Sequence, residues 1–182
     1  MVERKRKQSS ALCESTNERL TKMSSNEKVK NMPESNALAL LANWDGILPV
    51  DPVAIANDCG LEVREEPELK ELQLSGYLDV PNHVILVNPF ELYARQRFTI
   101  AHELGRYLFG HGSANGESER ANVAMLEVQA NQFAVELLMP VSSIRQNLRL
   151  SATELCERFG VSARALEYRL RGLPKIIRDR NF

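Results

Sequence analysis

Phe98, Ala101, Gly105, Leu108 and Phe109 recur at intervals of three and four residues, the spacing that lines one face of an α-helix with apolar side chains. No other stretch constrains the fold as tightly. The pattern predicts a long amphipathic helix running through His102 and ended by Gly110 and Gly112. A second long helix follows, from Glu119 to Leu138, closed by Met139-Pro140 because proline cannot continue a helix. Ala121, Ala124, Met125, Val128, Phe133, Leu137 and Leu138 form its expected buried stripe, and Glu136 reads as solvated. Between the two helices, residues 112–118 have the Gly, Ser and Asn content of a loop.

Upstream lie shorter elements. Residues 36–44 read as an alanine- and leucine-rich helix anchored by Trp44. Asp51-Pro52 starts another, with Asp as N-cap, Pro in the first turn and Gly60 as the stop. Leu61 to Glu65, Gln73 to Val80 and His83 to Val87 alternate or cluster apolar residues as strands do, and Pro81-Asn82 marks a hairpin. Three such strands predict a small antiparallel sheet. Downstream, Ser142–Leu148, Ala152–Phe159 and Ala163–Leu170 are helical patterns, with Ser151 and Ser162 placed as N-caps. The fold class is α+β: a mostly helical domain over 35–140 with a short three-stranded sheet, then a C-terminal helical segment over 141–182. Residues 1–34, rich in Ser, Asn, Lys and Glu, read as a disordered basic tail.

A chain of 182 residues with 43% hydrophobic and 26% charged side chains can bury one main core. No apolar run approaches the roughly 20 residues of a membrane helix, and no basic-then-apolar leader is present, so a cytoplasmic protein without membrane partners is expected. Cys13, Cys59 and Cys156 are widely spaced and form no CxxC pair, which predicts free thiols rather than a disulfide framework or thiolate metal site. The net charge of −1 is uneven: residues 1–31 carry +4, residues 32–150 carry −8 and residues 151–182 carry +3. A basic tail and end suit contact with nucleic acid, but these magnitudes also suit solvated surfaces, and the latter is the expectation.

The chemistry gathers on the first long helix. His102-Glu103 begins the pattern H-E-x-x-H, in which histidines one turn apart bind a metal and the glutamate acts as general base on a metal-bound water. Position 106, where the second histidine belongs, is Arg106. On the second helix Glu127 and Asn131 are spaced one turn apart and can face the same point.

These two blocks, Arg97-Phe98-Thr99-Ile100-Ala101-His102-Glu103-Leu104-Gly105 and Glu127 through Pro140, resemble the ImmA/IrrE family of zincin-like metallo-endopeptidases. The resemblance spans roughly residues 36–171. Members of that family are small bacterial and mobile-element enzymes that cleave helix-turn-helix repressors, often encoded beside them. Carried over by position, the resemblance makes zinc the cofactor, His102 and Glu127 metal ligands, Glu103 the general base and Asn131 a hydrogen-bonding partner for a ligand or backbone group.

Arg106 departs from the family pattern. An arginine has no lone pair to donate and stays protonated, and one His with one Glu falls short of the three protein ligands of a catalytic zinc. A guanidinium beside the metal also repels it, by on the order of 1 kcal/mol or more at ~4 Å even when screened. Two compensations are open. His111 could serve as the missing ligand if Gly110 ends the helix and the chain folds back. Alternatively, Arg106 takes the cation's place between Glu127 and Glu103.

Three functions follow: a zinc endopeptidase acting on a repressor; a catalytically silent relative that binds a repressor or toxin-linked regulator without cutting it; and a DNA-associated regulator. The last would act through the basic tail and the C-terminal helices, whose turn at Gly160 and arginines at 164 and 169 have the outline of a helix-turn-helix. A packing module with the same turn is the expectation there. Tyr107 and His83 read as a packed aromatic and a turn residue, and Thr99 as a helix-face residue.

Overall fold

The computed structural model of the chain describes residues 33–110 and 120–173. Seven helices occur among them: α1 (Pro33–Leu40), α2 (Pro52–Asp58), α3 (Tyr93–Leu108), α4 (Arg120–Leu138), α5 (Val141–Gln146), α6 (Ala152–Phe159) and α7 (Ala163–Arg171). Three strands, β1 (Glu62–Glu65), β2 (Gly76–Asp79) and β3 (Val84–Val87), complete the fold. Most of the expected tail lies outside the described residues, although Pro33 and Glu34, assigned to it, open α1. The helix expected over 36–44 ends at Leu40 and tightens into a 3-10 turn, Leu41–Asn43, before half-buried Trp44.

Local signals place most element ends. The Asp51 carboxylate accepts hydrogen bonds from the Val53 and Ala54 backbone N–H groups at 2.9 and 3.3 Å, satisfying two donors left free at the start of α2. At α6 a reciprocal pair forms: the Glu154 backbone N–H donates to Ser151 Oγ at 3.3 Å, and the Ser151 N–H to the Glu154 carboxylate at 2.7 Å. Gly160 then stops α6 at φ 61°, a left-handed conformation that a residue with a Cβ resists. Ser162 caps α7 by accepting from the Ala165 N–H at 3.2 Å.

The sheet corrects one expectation. Its order is β1-β3-β2, and β3 pairs antiparallel with β2 but parallel with β1. The hairpin at Pro81-Asn82 joins β2 to β3 as expected. The 3-10 turn Pro67–Lys70, not anticipated, carries the chain from β1 past the central position, so β3 enters between its neighbours. Apolar alternation marks which residues are half-buried, but pairing direction depends on the connection, which alternation does not encode.

The core lies where α3 crosses between the sheet and α4. Ala101, Leu104, Leu108, Phe133, Ala134, Leu137 and Leu138 are all fully buried there. Gly105 sets the approach: a Cβ at that position would come within 2.8 Å of the Phe133 ring and 3.4 Å of the Ala130 backbone. The expected stripe of α4 holds only in its second half. Ala124, Met125 and Val128 are exposed, and the Ala121 side chain lies outside the described residues. From Phe133 to Met139 every residue is buried, because α1, α3 and α7 surround that end. Thr99 is also buried, its methyl against Gly76 of β2.

Two buried arginines tie the C-terminal helices to this body. Arg97 of α3 donates through Nε to the Gly160 carbonyl at 3.1 Å, and through Nη2 to the carbonyls of Phe159 and Val50. It thereby satisfies carbonyls left free at the end of α6. Arg169 of α7 forms a two-pronged pair with the Glu136 carboxylate and donates from Nε to the Met139 carbonyl at 2.9 Å. Glu136 is thus buried, contrary to the solvated reading, because α7 covers it with a matching cation.

Removing one member of such a pair strands a charge away from water. Arg169→Ala is expected to lower unfolding stability by about 3–5 kcal/mol, measured by urea denaturation. Arg169→Met combined with Glu136→Leu should cost clearly less than that single change.

Candidate functional site

α3 and α4 cross so that one face of each presents polar side chains to the other just beyond the Gly105–Phe133 contact. From α3 come His102, Glu103 and Arg106; from α4 come Glu127 and Asn131. The structure brings all five together. His102 Nε2 lies 3.2 Å from Glu127 Oε2, and His102 Nδ1 lies 3.1 Å from Asn131 Oδ1, the oxygen acting as acceptor for whichever tautomer carries hydrogen there. Phe98, one turn earlier on α3, stacks on the His102 ring with centroids 6.4 Å apart. The imidazole is therefore oriented from three sides.

Arg106 sits between the carboxylates. Its Nη1 donates to Glu103 Oε2 at 3.1 Å, and its Nε lies 3.6 Å from Glu127 Oε1, an ion-pair distance too long for a hydrogen bond. Glu103 is only 5% exposed. Burial is the largest influence on its carboxyl and raises the pKa above the ordinary carboxylate value, while Arg106 and then His102 pull in the opposite direction without cancelling the rise. Glu127 is more open, and its pairing with Arg106 is accordingly screened by solvent.

These contacts test the fit of a divalent metal. His102 and Glu127 are the possible donors facing each other, and a permanently charged guanidinium occupies the side where a further ligand would have to stand. Among the described residues no group of three His, Cys, Asp or Glu side chains converges to hold a metal ion. His111 lies outside the described residues. The donor set among the described residues does not fit a catalytic zinc, which needs three protein ligands and an open position.

Elsewhere, Tyr107 Oη contacts His83 Nδ1 at 3.3 Å, with His83 in the exposed turn between β2 and β3 at φ 54°. Cys59 and Cys156 are half-buried against the core. The arginine pair of the DNA-reading alternative is divided: Arg164 is exposed, but Arg169 is buried on Glu136 and unavailable to phosphate. Exposed Arg171 is paired with Glu167 at 2.5 Å. The sequence carries no sign of Phe98 as more than an apolar face residue except its four-residue spacing from His102, the spacing at which helix side chains meet.

A mostly helical α+β domain with paired site helices of this kind defines a zincin-like class. The family model described as the IrrE N-terminal-like domain of peptidases matches residues 56–171, and the chain belongs to that family. No curated protein matches the chain. Among solved structures, a Mycobacterium tuberculosis transcriptional regulator is similar in fold, with a TM-score of 0.61 and 17% identity, over 92% of this chain and 53% of that one. The chain thus spans about half the length of that regulator. Among the described residues, no helix is long and apolar enough to cross a membrane.

Glu103 yields a pH prediction. A carboxyl whose folded pKa lies above its unfolded value binds its proton more tightly in the native state, so native stability falls as pH rises from the unfolded pKa through the folded one. Glu103→Gln keeps the shape without the charge. Denaturation at pH 4 and pH 7.5 should show wild type losing stability relative to this variant at the higher pH; an unchanged difference would contradict the burial-driven rise.

Proposed function

We propose that this chain is a peptidase-derived regulator that binds a protein partner without hydrolysing it. The observation that carries the reading is Arg106, 3.1 Å from Glu103 and 3.6 Å from Glu127. Two carboxylates brought close need a positive charge between them, and the guanidinium supplies one permanently. It also engages Glu103, which a hydrolytic relative needs free to take a proton from water. One of the two positive charges that a zinc ion would bring is supplied, while the open coordination position that activates water is lost.

The family resemblance supports the kind of partner: a helix-turn-helix transcriptional repressor, held rather than cut. His102, Glu127 and Asn131 then act as a fixed hydrogen-bonded cluster that orients α3 against α4. The domain organisation that accompanies this reading is a zincin-like body over 35–140, a C-terminal helical segment over 141–182 clamped to it by Arg97 and Arg169, and a basic N-terminal tail.

The test is a reversion. Protein purified without added metal is expected to contain far less than one zinc per chain by mass spectrometry, and Arg106→His to take up about one. Stoichiometric zinc in the native sequence would overturn the reading, as would cleavage of a co-expressed repressor by wild type that a chelator abolishes.

A further inference from the structure

A groove of about 450 Å³ opens beside the His102 cluster, between the first turns of α3, the middle of α4 and the start of α7. Its size falls within the range of functional binding pockets. Phe98, Val128, Val135, Ala165 and Tyr168 give it an apolar floor and wall. Much of that wall is open to solvent: Val128 is 55% exposed, Tyr168 51%, and Leu92 at the groove's edge 81%. Side by side on three helices, these side chains make an apolar trough of the form into which amphipathic helices of other proteins dock. Such an open trough suits a segment of another protein better than a small molecule, which a pocket normally encloses.

Charge selects among protein segments. The described lining contains two guanidiniums, Arg95 and Arg164, and no carboxylate. Arg164 lies in the first turn of α7, where free backbone N–H groups and the helix dipole add positive potential. Arg95 stands in a stretch, residues 32–150, that carries −8 overall, and Arg164 in the C-terminal stretch that carries +3.

We propose that this groove binds an acidic amphipathic helix of a partner protein, with apolar side chains on Phe98, Val128 and Tyr168 and carboxylates toward Arg95 and Arg164. This deepens the preceding reading, from which it takes only that the chain works by holding a protein. Asn131 lines the groove and contacts His102 at 3.1 Å, so a bound helix would lie directly against the former catalytic face.

The probe is a fluorescein-labelled synthetic peptide of about 20 residues, beyond the length at which isolated helices are marginal, with Leu along one face and Glu alternating with Ala elsewhere; its counterpart carries Lys for Glu. Anisotropy titration of the full chain should show saturable binding of the acidic peptide and at least about tenfold weaker binding of the basic one. Val128→Glu should abolish binding, and Arg164→Glu should weaken the acidic peptide about tenfold while strengthening the basic one; circular dichroism confirms that both variants stay folded. No saturable binding, equal affinity for the two peptides, or indifference to both variants would overturn the proposal. So would a concentration-dependent dimer in sedimentation that Val128→Glu dissolves, which makes a second copy the occupant, or saturable binding of decanoate with the same variant dependence when the peptide fails to bind. Zinc content and titration are read on the same wild-type preparation: zinc found there would sink the silent-peptidase reading alone, whereas a flat titration sinks only the groove.

Discussion

The missing side chain at Gly105 lets α3 and α4 come close enough for the Phe133 ring to fill the space where a Cβ would stand. Every feature of the site depends on that approach. Each helix alone offers two or three polar residues in a row; only when the axes are this near does His102 reach both Glu127 and Asn131. The contact is also a buried one, so the dry packing beside it is what raises the Glu103 carboxyl above its ordinary value. Packing and chemistry share one constraint here.

Charge replacement is the second theme. Families built around a bound cation gather acidic side chains that would repel one another without it. In the function proposed above, Arg106 meets that demand from within the chain, which preserves the geometry of the helices while changing what the geometry can do. The same device recurs at Arg169 and Arg97, where guanidiniums satisfy a buried carboxylate and the free carbonyls at helix ends. Three arginines thus hold together parts of the fold that apolar packing alone leaves polar and unpaired. The family match, running from α2 through α7, is in keeping with a body and C-terminal helices that pack as one piece.

Much of this was legible in the residues. Asp51-Pro52, Ser151 and Ser162 act as caps as their types require, since capping is a local reaction between a side chain and the next few backbone N–H groups. The five site residues were identifiable because each helix shows a one-turn spacing. Less legible were Glu136 and Val128. A glutamate in an apolar run reads as solvated unless a cation arrives from α7, thirty-three residues away; a valine at stripe spacing reads as buried unless nothing is placed over it.

Helix positions, caps, the hairpin and the departure at Arg106 were determined by the sequence itself, because each arises from interactions within a few residues or from the chemistry of one side chain. Tertiary structure decided the parallel pairing of β1 with β3, the burial of Arg97 and Arg169, the placement of Arg106 between two carboxylates, and the apolar groove left open beside them. Those outcomes rest on contacts between residues distant in the chain, whose partners and degree of burial only the packed fold specifies.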